Sequence, residues 1–200
     1  MQPPPHSHEF AVAARPGRLR RAWRAAHAPV PGVSRGMRLA ACAVPLVVLP
    51  SGIWRLPLVA DDRVGPGLAV YVVVLTLASE LVAFTAFGLI ARWGEVFPRW
   101  IPLLGGRPVP VLAAVIPAAV GAAALTLLWT VLVLVTQIQG RTIQGDPLPA
   151  DFPTEQGGLQ AAWLYACYAP LTLWGPLMAV LTVGYWKRRR AAASHAPVTA

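Results

Sequence analysis

Four long apolar stretches constrain this chain more than any other feature. They run over about 38–60, 66–91, 110–138 and 159–186. At about 1.5 Å of rise per residue each is long enough to cross roughly 30 Å of hydrocarbon. Lipid offers a bare backbone no hydrogen bonds, so each stretch must satisfy its own amides as a helix. The predicted fold is therefore all-α, an integral membrane four-helix bundle over 37–187. A disordered basic tail over 1–36 and a second basic tail over 188–200 flank it. With 56% hydrophobic and only 12% charged residues, the 200-residue chain falls outside the range of soluble domains.

The placement of Lys and Arg predicts orientation, because cytoplasmic segments retain an excess of them. Seven arginines precede or open the first stretch, Arg92, Arg99 and Arg107 lie between the second and third, and Lys187, Arg188, Arg189 and Arg190 follow the fourth. Only Arg55, Arg63 and Arg141 belong to the opposite side. Both termini are thus expected in the cytoplasm, with the chain a multi-pass membrane protein. Asp61, Asp62, Asp146, Asp151 and Glu155 all fall in the two loops assigned outside. Trp163 with Tyr165, and Tyr185 with Trp186, sit where interfacial aromatic belts are expected.

A net charge of +9 in a soluble protein would suggest nucleic acid. Beside membrane spans, anionic lipid headgroups are the nearer partner, and no nucleic-acid-binding module is recognisable. Residues 1–36 are rich in Pro and Arg and poor in large apolar groups, which predicts disorder. Gly17 to His27, with Leu19, Trp23 and four arginines, has a second reading as a short helix on the inner leaflet. The first stretch reads as an uncleaved anchor, since a signal peptide has a shorter apolar region.

Little in the chain suggests catalysis. Cys42 is expected near the inner end of the first stretch and Cys167 near the outer end of the fourth, far beyond disulfide reach. All four histidines lie in the tails, so no metal site and no cofactor are expected. No phosphate-binding glycine loop, nucleophile elbow or HExxH motif occurs.

Glu80 is the one residue that is both ionisable and deep. Counted from Ala91 it lies roughly 16 Å into the bilayer. A carboxylate in oil must be neutralised by a proton or by a cation, which makes it the default functional candidate. Arg55, about 7 Å further outward by helix rise, is the expected ion-pair partner. Thr76 stands one turn from Glu80. In the fourth stretch Tyr165, Tyr168, Thr172, Gly175, Ala179 and Thr182 recur at helical spacing, and Tyr168 and Thr172 join the candidate intramembrane site. Pro176 also leaves the Thr172 carbonyl without its usual amide partner. Helix packing through small and hydroxyl residues accounts for such a face, and a water or ion path is the sharper alternative.

The loop from Arg92 to Pro110 is the most distinctive sequence. Its prolines and glycines forbid a continuous helix. Arg92, Trp93, Glu95, Arg99, Trp100 and Arg107 are its candidate interaction residues, for lipid phosphates, for Glu95 itself or for a partner. The run resembles a loop of uncharacterised actinobacterial multi-pass membrane proteins, W-G-E-x-x-P-R-W-x-P-x-L-x-G-R-x-V-P. That resemblance implies the four-helix layout and a bacterial source, hence a bacterial plasma membrane, and no activity.

Two function classes remain open. The first is a non-enzymatic membrane component, structural or partner-binding, as a homo-oligomer or with another membrane protein. The second is a small transporter or proton-coupled carrier working through Glu80.

Overall fold

The structure is a computed structural model that describes residues 17, 30–61, 64–98, 101–141, 145–147 and 157–194. The expected N-terminal tail and its alternative leaflet helix fall almost entirely outside the described residues, as do Arg99 and Trp100. Four helices are long and apolar enough to cross a membrane: span one, Arg35–Ala60; span two, Pro66–Leu89; span three, Val111–Val135; and span four, Gly158–Ser194. Among the described residues the only β-pairing is two isolated antiparallel bridges, Val96 with Pro108 and Arg141 with Pro147. The chain is an all-α four-helix membrane bundle. The end that carries the loop between spans two and three is called the inner end.

Local chemistry sets the helix boundaries. Span one starts on Ser34, whose Oγ accepts from the Met37 amide at 3.2 Å as an N-cap. Pro66 opens span two at a position where its missing N–H has no consequence. Span two tightens into a 3-10 turn over Thr85–Leu89 and stops short of the expected residue 91, because Ala91 is extended at φ −103 and ψ 158. Span four continues well past the expected end at 186, reaching Ser194. Lys, Arg and Ala are strong helix formers, and two of these arginines are tied down by the inner loop.

Spans one and four form the centre. In span one Met37, Ala40, Ala41, Val44, Val48, Ser51, Gly52 and Arg55 are buried, a stripe with helical period. Its counterpart in span four includes Leu171, Trp174, Met178, Leu181 and Tyr185. Span two packs on span one, and span three on span four. The apolar windows of spans one and four are 44% and 39% buried, against 11% and 6% for spans two and three, so the outer pair presents most of its surface to lipid. Lipid tails are as apolar as leucine, so contact between spans rests on close packing and hydrogen bonds rather than on hydrophobic gain. Gly175 illustrates this, since a Cβ there would overlap the Thr126 backbone and hydroxyl of span three.

Two irregular turns face each other across spans three and four. Span three widens into π-type turns over Thr126–Leu132, and span four tightens into a 3-10 turn over Ala169–Leu173. Between them the Thr130 hydroxyl donates to the Thr172 carbonyl at 2.7 Å. That is the carbonyl Pro176 leaves free, so a side chain from the neighbouring span supplies the missing donor.

Candidate functional site

The sequence-predicted polar residues separate into two intramembrane clusters, and a third cluster lies at the inner end. The first joins spans one and two. Arg55 is 8% exposed, one of the few buried charged or polar side chains among the described residues. Its Nη2 donates to Ser51 Oγ at 2.9 Å and its Nη1 to Thr76 Oγ1 at 3.4 Å. Ser51 in turn donates to the Val48 carbonyl at 2.8 Å. The helices meet closely at this level, where a Cβ on Gly52 would lie 3.0 Å from the Thr76 methyl. Ser51 was not singled out in the sequence, although its position four residues before Arg55 on the same face is a legible signal.

Glu80 is half-buried on span two, one turn from Thr76. The expected Arg55–Glu80 ion pair does not form: the guanidinium is directed at the two hydroxyls instead. Arg55 is still the charged side chain whose field reaches Glu80. Glu80 Oε1 is buried and accepts no hydrogen bond. Trp174 Nε1, on span four, is a buried donor with no acceptor. By helix rise Glu80 lies roughly 14 Å from Leu89 and Trp174 roughly 17 Å from Tyr185, the span-four residue bonded to the inner loop. An orphan acceptor within a membrane span can take up a proton or a small cation.

The second cluster joins spans one, three and four and does not include Glu80. Tyr168 packs its ring edge-on to Trp54 at 5.4 Å and lies 6.3 Å from the Trp129 ring. Thr172 receives the Thr130 hydroxyl and donates its own to the Ala169 carbonyl at 2.7 Å. Tyr168 and Thr172 therefore brace the irregular turns, with Trp54 linking this cluster to the neighbouring Arg55. Further inward the same two spans leave an apolar groove of about 430 Å³ floored by Ala119, Ala122, Ala123, Thr126, Ala179 and Thr182.

The third cluster organises the inner loop. Phe97 and Arg107 pair main chain to main chain at 3.0 Å and Val109 donates to the Glu95 carbonyl at 2.8 Å, closing a short hairpin. Each residue of Trp93-Gly94-Glu95 has a mechanical part. Trp93 lies over Gly88, where a Cβ would meet the indole at 2.6 Å. Gly94 presses against the Gly88 carbonyl with no room for a side chain. Glu95 accepts from Arg188 at 2.5 Å and lies 3.8 Å from Arg189. Tyr185 donates to the Gly94 carbonyl at 2.9 Å, Arg188 to the Leu89 carbonyl at 3.2 Å, and Arg189 to the Val109 carbonyl at 2.9 Å. The Leu89 carbonyl is one that the end of span two leaves without an amide, so a guanidinium is a natural cap.

Span four thus reaches back to hold the loop, a role the sequence alone did not assign to Tyr185, Arg188 and Arg189. The available signal was the one carboxylate in the loop, Glu95, among the many cations assigned to the same side. Arg92 and Arg107 are exposed and take no part in the Glu95 pair. At the loop's tip Leu103 is 92% exposed and adopts φ +68, a left-handed conformation unusual for leucine. Comparison with protein-family models, curated proteins and solved structures finds no match for the chain.

Proposed function

We propose that this chain is a non-enzymatic component of a bacterial plasma membrane, with both termini in the cytoplasm, which docks another membrane protein or a second copy through its inner loop. Orientation rests on the cation excess beside the loop and the C-terminal helix. The resemblance of the loop to actinobacterial sequences supports the source. The observation that carries the docking reading is the combination of a loop clamped at its base with a strained leucine presented at its tip. Non-glycine residues in left-handed backbone persist where surrounding structure holds them, and they concentrate at functional sites. A clamped loop also loses little conformational freedom on binding.

A photo-crosslinking residue placed at Leu103 is expected to give a discrete protein adduct in intact cells. Glu95→Gln removes the charge that pairs with Arg188, which weakens the clamp by about 2 kcal/mol and reduces that adduct. Adducts to lipid alone, in a protein whose melting transition is normal, would end the docking proposal.

A second reading, a proton-coupled carrier, is favoured by one observation. Glu80 Oε1 remains unpartnered although Arg55 lies close enough to act on it. In proteoliposomes held under a potassium diffusion potential, the carrier reading expects proton uptake reported by an internal pH dye, and its loss in Glu80→Gln. Equal uptake by both proteins excludes it.

A further inference from the structure

A groove at the inner end of span four has the chemistry of a phosphate site. It is about 560 Å³ and is lined by Pro31, Gly32, Gly184, Lys187, Arg188 and Ala191, with Ala192 beside them. The helix residues recur at three- and four-residue steps and so form one face of span four. Across from them the Pro31–Gly32 turn is held open by Gly32 at φ +79. Small residues floor the groove, and its cationic groups are Lys187 and Arg188.

Arg188 is the second, independent indication. Its side chain is only 10% exposed, with Nη1 on Glu95 and Nη2 on the Leu89 carbonyl, while Nε is buried without an acceptor. A Cβ on Gly32 would lie 3.4 Å from Arg188 Cγ and Cδ, so the Pro31–Gly32 turn runs along the stem beside that nitrogen. A guanidinium N–H left unmet in a buried setting favours any ligand that brings an acceptor. Lys187 is exposed and makes no ion pair among the described residues. Of the four consecutive cations, Lys187 to Arg190, only Arg188 and Arg189 meet a carboxylate among the described residues, that of Glu95, so this end of the helix keeps a net positive charge. Arg190 stacks on Trp186 at 4.6 Å, which sets the groove at the level of an interfacial aromatic belt.

We infer that this groove binds a phosphate group, with Lys187 as its counter-ion, Arg188 Nε as its buried donor and the Pro31–Gly32 turn as its lid. The chemistry is that of a phosphodiester lipid headgroup or of free phosphate. A basic pocket between spans at the cytoplasmic face suits either source.

Native mass spectrometry of the full chain, released from micelles with equal phosphatidylglycerol and phosphatidylcholine, tests the assignment. Wild type is expected to retain phosphatidylglycerol preferentially. Lys187→Gln, which removes charge and little packing, should lower that preference about fivefold, the effect of one cation at an anionic surface. Adding Ala191→Leu fills the groove and should abolish it. Arg92→Gln removes an exposed cation outside the groove and should leave it unchanged.

A parallel arm adds inorganic phosphate to protein in phosphatidylcholine nanodiscs. A Lys187-dependent rise in melting temperature assigns free phosphate as a ligand. No rise, with phosphatidylglycerol retention intact, assigns the lipid headgroup. Retention and melting that are indifferent to both groove variants, or an equal loss with Arg92→Gln, overturn the inference.

Discussion

Gly175→Leu is expected to drive spans three and four apart and to cost about 3 kcal/mol or more, since overpacking of this kind meets backbone rather than a flexible side chain. A side chain at that position overlaps the Thr126 main chain, which cannot turn aside. Separation also removes the Thr130 hydroxyl from the Thr172 carbonyl and leaves it without a donor in the membrane. Gly121 on span three provides the control, because a Cβ there meets nothing within 4 Å. Gly121→Leu should stay within about 0.5 kcal/mol of wild type. Thermal unfolding in one detergent, followed by circular dichroism, measures both. Similar melting temperatures for the two variants would show that the close crossing at Gly175 does not hold these spans together.

Gly94→Val should release the inner loop while leaving the membrane core folded. Its side chain has no space against the Gly88 carbonyl, so the segment must lift away from span two. The Tyr185 hydrogen bond to the Gly94 carbonyl is then lost, and Glu95 moves away from Arg188, which stays largely buried without its counter-ion. Together these changes are expected to cost about 2–3 kcal/mol. Amide exchange reports the result locally. The Phe97 and Val109 amides, which close the hairpin, should exchange at least about tenfold faster, while core amides of span one near Val44 and Val48 keep their protection. Gly67→Ala, at an open position, should leave all of them unaffected. Faster exchange throughout the core would mean that the loop supports the whole bundle instead of being held by it.

These two glycines show where reading residues in order stops being sufficient. Gly175 is visible as a small residue on a polar stripe, and that pattern correctly points to a packed face. Gly94 is visible only as part of a distinctive loop, because the reason for it is a backbone carbonyl six residues earlier that folds back on it. The loop cations illustrate the same limit. Arg92 and Arg107 belong to the same loop as Glu95, yet Arg188 and Arg189 pair with it from the far end of the chain. At Glu80 the depth follows from counting residues. The choice of Arg55 to donate to Ser51 and Thr76 depends on how spans one and two are rotated about their axes.

Sequence by itself determined the number of spans, their approximate limits and the helical class, because length, apolarity and the backbone's need for hydrogen bonds act within each segment. Tertiary structure alone decided which spans are central, which carbonyls borrow a side-chain donor, and which arginine meets which acid. Spans face lipid and protein of nearly equal polarity, so apolar patterning scarcely distinguishes the two sides of a helix. Their pairing is settled by steric fit at a few small residues and by hydrogen bonds between groups distant along the chain.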